Sequence, residues 1–292
     1  MDLCNPSVIK SIMSKHGFTF SKSLGQNFLT DNKIPVKIAE NAGLNGGAVS
    51  NDIGIIEIGP GVGCLTKELC KRAKKVVAIE LDKRLIPVLD ETMAEFDNFK
   101  LISGDILKTD INSVIEDEFQ GMEVCVCSNL PYYITTPVIM YLLESQVNVK
   151  SITMMMQKEV ADRITANPLS GNYGAITLTV NYFSDTKNLF KVTSDCFMPP
   201  PKIESSVVRF DVRKKYNLTK EHEKFMFKLI RAAFNQRRKT LTNALTAGGA
   251  GMSKIQIEEI LTDMNISKEI RGEKLSIEEY IALAERCIKC RQ

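Results

Sequence analysis

Five short apolar runs, each followed by a stretch of helical spacing, constrain this chain more than any other feature. Residues 53–58, 76–80, 100–103, 123–128 and 151–157 read as strands, with helical segments such as 64–73 and 83–96 between them. The apolar, alternating run Val124-Cys125-Val126-Cys127 reads as a buried strand. Strand and helix in strict turn imply a mostly parallel, doubly wound α/β sheet of Rossmann-like type. Such sheets bind ligands beyond the carboxyl ends of their strands, at the point where strand order reverses.

The rhythm changes further along. Residues 189–194 and 205–212 read as strands flanking the stiff loop Cys196-Phe-Met-Pro-Pro-Pro-Lys202, while 173–182 fits either strand or helix. From residue 216 the pattern is helical. Thr219 can cap a long helix running to Gly248 and Gly249, and Ser253-x-x-Gln256 and Ser276-x-x-Glu279 are capping boxes opening two more. The expected organisation is a basic N-terminal arm (1–33), a doubly wound domain (34–215) and a small all-helical domain (216–292).

Three motifs fall at the expected ligand edge. Glu57-Ile-Gly-Pro-Gly-Val-Gly63 follows the first strand, and glycines such as Gly59 and Gly61 let backbone approach a ligand closely. Glu80 ends the second strand, where a carboxylate can accept from both ribose hydroxyls; Asp105, after the third, can accept from an adenine amine beside the Ile106 backbone. Each acid alone is also a natural helix N-cap. Together, with the spacing Gly59-x-Gly61-x-Gly63, they favour S-adenosyl-L-methionine over a dinucleotide.

The fourth strand ends in Asn129-Leu-Pro-Tyr-Tyr133. Pro131 has no N–H to give a sheet, so the chain must leave the sheet here. An exocyclic adenine nitrogen is a poor nucleophile because its lone pair is delocalised. The Asn129 amide oxygen and the Leu130 carbonyl, fixed by Pro131, can accept its N–H groups and localise that pair, while Tyr132 offers a face for a flipped-out base. Alignment then supplies the remaining catalysis, and no strong base is required.

Net charge is only +3, but from Lys187 to Lys239 there are 14 Lys and Arg against 5 acids. With Lys10, Lys15 and Lys22 near the N-terminus, this segregation is the footprint of a phosphate-backbone partner. No run approaches the roughly 18 apolar residues of a membrane span, and the start lacks a secretory h-region, so a cytoplasmic, monomeric protein is expected. The eight cysteines read as reduced thiols, and Cys287-x-x-Cys290 lacks partners for a metal, so none is expected.

SLGQNFL (23–29), EIGPGVG (57–63), IELD (79–82), GDI (104–106), NLPYYITTP (129–137), MMQKEVADRI (155–164), FMPPPKIESSVVRF (197–210) and FNQRRKTLTNAL (234–245) together resemble the ribosomal RNA adenine N6,N6-dimethyltransferase family over nearly the whole chain, most closely its bacterial small-subunit branch. The resemblance implies a class I S-adenosylmethionine-dependent methyltransferase that dimethylates two adjacent adenosines in a hairpin loop near the 3′ end of 16S rRNA, within the small ribosomal subunit or its precursor. It implies that Gln26, Asn27 and Leu29 contact the cofactor, with Gly59 at its methionine part, Glu80 at the ribose and Asp105 at the adenine. Asn129 would bridge cofactor and target base, Phe197 would form the pocket wall opposite Tyr132, and Lys22, Lys202 and a helix-borne Arg237, Arg238 and Lys239 would meet phosphates. Two rivals remain open: the related large-subunit enzymes of macrolide resistance, and a non-catalytic ribosome-assembly or RNA-binding factor.

Overall fold

A computed structural model describes residues 1–17, 27–167, 170–213, 216–248 and 251–291. In chain order it forms α1 (Pro6–Lys15), β1 (Phe28–Leu29), α2 (Lys33–Ala39), β2 (Gly54–Ile58), α3 (Cys64–Cys70), β3 (Lys75–Glu80) and α4 (Ile86–Thr92). Then follow β4 (Phe99–Ser103), α5 (Ile111–Glu118), β5 (Val124–Asn129), α6 (Tyr132–Glu144), β6 (Ser151–Gln157), α7 (Lys158–Ile164) and α8 (Ala175–Phe183). The remainder is β7 (Ser184–Val192), β8 (Phe197–Met198), β9 (Ser205–Val212), α9 (Lys220–Asn235), α10 (Leu241–Ala247), α11 (Lys254–Asp263) and α12 (Ile277–Lys289).

Seven strands form one sheet in the order β4-β3-β2-β5-β6-β9-β7, with the first five parallel and β9 antiparallel to β6. The order reverses between β2 and β5, which is the switch point. Register is flush there: Ile58 lies opposite Ile79 on one side and Ser128 on the other, and Glu80 lies opposite Ser103. Consequently the residues just beyond four strands share one edge. β2 is buried at every position, as two-sided covering requires.

The chain divides into two compact units, Met1–Ala161 with Asp185–Arg213, and Asp162–Ser184 with Lys214–Gln292. Residues 162–184, expected in the doubly wound domain, thus group with the C-terminal helices. The ambiguous 173–182 stretch is helical, and Tyr182 of α8 packs edge-on to Phe227 and stacks on Tyr216. The N-terminal segment is also more than an arm: Ile9, Ile12 and Met13 of α1 share a core cluster with Val88 and Leu89 of α4. Lys15 and His16 both bind Glu91, so Lys15 is already ion-paired.

In the helical unit, Thr219 caps α9 and both capping boxes form. The single long helix expected up to Gly248 is instead two. α9 ends at Asn235, residues 236–240 turn, and Thr240 caps α10. Gly248 does close a helix, as the C-cap of the seven-residue α10, and a Cβ there would overlap the Ala232 side chain of α9. A Cβ on Gly272 would lie 2.5 Å from Ala233 Cβ and 2.7 Å from the Tyr280 hydroxyl. Small residues on both sides let these segments meet closely.

Candidate active site

The glycine loop leaves β2 with Gly59 and Gly61 at φ 66° and 62°, a left-handed conformation that side chains disfavour. Gly59 N–H donates to Ile79 O across the strand boundary (3.0 Å), and a Cβ on Gly59 would lie 2.7 Å from Leu130 Cδ2. The loop therefore sits tightly against the turn after β5. α3 has only seven residues, so loop backbone rather than a long helix dipole is what this segment offers a ligand.

Glu80, the last residue of β3, is nearly fully buried, and its Oε1 accepts the Asp82 N–H at 2.8 Å. Burial raises its pKa, opposed in part by backbone N–H groups of Asp82 and Gly61. Asp105 Oδ1 accepts the Leu107 N–H at 3.1 Å, and its Oδ2 lies 3.7 Å from Lys108 Nζ. Ile106 beside it is buried.

Asn129 closes β5, and no described residue hydrogen-bonds its side-chain amide. Leu130 is buried, and no described residue donates to its carbonyl. Pro131 instead carries the local turn, its carbonyl accepting from Ile134 N–H and Thr135 Oγ1. Tyr132 opens α6; its hydroxyl hydrogen-bonds Ser205 Oγ at 2.7 Å, and partial burial raises its pKa. Phe197 is buried on β8, which pairs antiparallel with β1 so that Leu29 lies opposite Phe197.

One cavity of about 320 Å³ is lined by Asn27, Leu29, Gly59, Gly61, Glu80, Asp105, Ile106, Asn129, Leu130, Pro131, Tyr132 and Phe197. These residues come from widely separated motifs. Gln26 and Lys22 lie outside the described residues. Lys202 is exposed on the loop before β9 and is not part of the lining. Arg237, Arg238 and Lys239 are exposed in the turn after α9 rather than on a helix. Arg237 is engaged with Glu273 (2.9 Å) and the Tyr173 carbonyl (3.3 Å). Another member of the basic segment, Arg209, is buried and holds Asp211 and the Asn41 carbonyl.

Glu57 lines the same cavity and was not singled out as a site residue. It is 1 % exposed, and its Oε2 has no hydrogen-bond partner among the described residues. Burial lifts its pKa to about 8, opposed by the nearby Thr66 hydroxyl and helped by a smaller push from the Glu80 charge. The available signal was an acid inside an otherwise apolar strand.

A family model described as "Ribosomal RNA adenine dimethylase" matches residues 17–283. The protein named ribosomal RNA small subunit methyltransferase A of Alkaliphilus oremlandii is 46% identical over 287 residues, covering 98% of both chains. The protein of that name from Bacillus licheniformis is 44% identical over 288 residues, covering 98% of this chain and 97% of its own. Among solved structures, a dimethyladenosine transferase from Plasmodium falciparum superposes with a TM-score of 0.73 at 26% identity, over 87% of this chain and 95% of that one. The 23S rRNA methyltransferase ErmE gives 0.67 at 25% identity, over 89% of this chain and 99% of that one. Spanning the glycine loop, the Asn129 turn and most of the helical unit, these matches establish that the chain belongs to the ribosomal RNA adenine dimethylase family.

Proposed function

We propose that the protein dimethylates N6 of two adjacent adenosines in a hairpin loop near the 3′ end of 16S rRNA, in the small subunit or its precursor. The methyl donor is S-adenosyl-L-methionine, leaving S-adenosyl-L-homocysteine. The observation that carries the reading is the Asn129 amide in the cavity, next in sequence to the Leu130 carbonyl, neither of them with a hydrogen-bond partner among the described residues. A half-buried amide at the strand edge with no partner among the described residues is free to take one that arrives with the substrate.

The cavity fits this donor. Glu80 keeps carboxylate capacity for ribose hydroxyls, Asp105 and the buried Ile106 suit an adenine, and the left-handed glycines leave room where a side chain would collide. When bound, S-adenosylmethionine supplies an electrophilic methyl group. Asn129 Oδ1 and the Leu130 carbonyl accept the N6 hydrogens, localise the nitrogen lone pair and stabilise those N–H groups as positive charge develops. Tyr132, anchored through Ser205, and Phe197 hold the base and keep water from it. Neither histidine lines the cavity, in keeping with a mechanism resting on orientation. The reading places the protein in the cytoplasm as a monomer; among the described residues no helix is long and apolar enough to cross a membrane.

The similarity to ErmE makes large-subunit RNA the second reading. Labelled methyl transfer to small subunits lacking the modification, with unmodified large subunits in parallel, decides between them. Recovery of N6,N6-dimethyladenosine from small-subunit RNA is expected. Label on the large subunit alone reverses the assignment, and label on neither makes a binding factor the better reading.

A further inference from the structure

Tyr132 and Tyr133 are adjacent in sequence but differ in environment. Tyr132 is half-buried with its hydroxyl held by Ser205. Tyr133 is 62% exposed, its hydroxyl meets no described residue, and yet it lines the same cavity. Its backbone is rigidly placed, because α6 is anchored by buried Thr135, Val138, Ile139, Leu142 and Leu143. A large ring on a packed helix, partly in solvent and partly lining the cavity, offers a face to a flat partner.

We infer that Tyr133 is a stacking platform for the nucleobase adjoining the one being methylated. The inference rests on the reading that the cavity receives a flipped adenine. Flipping one base removes a stacking partner from its neighbour, and the Tyr133 ring replaces that partner. For a substrate with two adjacent adenosines, the neighbour is the second target, so the platform holds whichever adenosine waits outside. Stacking needs a π face and no hydroxyl, and it binds any base without reading its edge.

The test compares Tyr133→Ala and Tyr133→Phe with the unaltered protein on small subunits lacking the modification, measuring KM for the subunit, kcat and thermal midpoint. A platform used equally in ground and transition states predicts KM raised about 5- to 100-fold in the alanine variant with kcat kept. The phenylalanine variant should stay within about twofold of the unaltered protein on both parameters. Midpoints should coincide, since the side chain is largely in solvent. An alanine variant with unchanged KM, or a phenylalanine variant as impaired as alanine, overturns the platform while leaving the methyltransferase reading intact. If the unaltered protein transfers no methyl to adenine, both readings fall together.

Discussion

Asn129 and Glu57 are polar side chains in one cavity with opposite electrostatic needs. The Asn129 amide is neutral and tolerates waiting without a partner. Replacing it with alanine is expected to lower kcat about a hundredfold or more while RNA binding persists, because the lost oxygen acts on the reacting nitrogen. Glu57 has no such latitude, since its charge would sit in a dry strand. An acid with a folded pKa near 8 against an ordinary 4.5 holds a proton that the unfolded chain has released. Its contribution to stability is therefore full below pH 4.5, declines as pH rises and is lost above about 8. Glu57→Gln should raise the thermal midpoint of the donor-free protein at pH 8 and change it little at pH 5. A midpoint gap that is the same at both pH values would show that Glu57 is not held protonated. The glycine motif made the loop legible from residues alone, whereas Glu57 was hidden because its burial depends on the strands either side.

Among the elements, local signals translated well and long-range pairings did not. The first five strand positions followed from apolar runs, whereas β7 starts at Ser184, five residues before the expected 189–194, in a largely polar stretch; the capping boxes followed from four-residue patterns whose hydrogen bonds close on themselves, as Ser276 and Glu279 show. Ser276→Ala should cost about 1 kcal/mol and shift the unfolding midpoint in denaturant accordingly. The break between α9 and α10 carried no glycine or proline, so helical periodicity ran through it. Its cause is tertiary: the turn brings Leu241 N–H to Ile270 O at 2.7 Å and lets Gly248 and Gly272 close on Ala232 and Ala233. In the same way, no spacing rule could reveal that 28–29 and 197–198 pair. That pairing is what brings the N-terminal and triproline motifs to one cavity.

For the molecule as a whole, the basic segment is smaller at the surface than in the sequence. Arg209 is consumed inside the sheet domain and Arg237, though exposed, is paired with Glu273, which leaves Arg238 and Lys239 as the turn's exposed cations with no acid paired to them among the described residues. Alanine at Arg238 or Lys239 should weaken RNA binding and reduce the slope of log affinity against log salt by about one each. Arg237→Ala should instead lower thermal stability with a smaller change in slope. Equal slopes for all three would contradict the division. The two-residue pair β1–β8 adds a consequence of another kind. Only two residues a side pair there, continued by Thr30 N–H to Cys196 O at 2.8 Å, so this stretch of cavity wall is held by the packing of Phe28, Leu29 and Phe197 more than by its short ladder, and what fills the cavity beside them adds to its protection. The Thr30 amide should exchange with deuterated solvent early in the free protein and late once methyl donor is added. On that expectation β1 is a reporter: ligand occupancy is followed through the exchange rate of one amide proton, without any turnover at all.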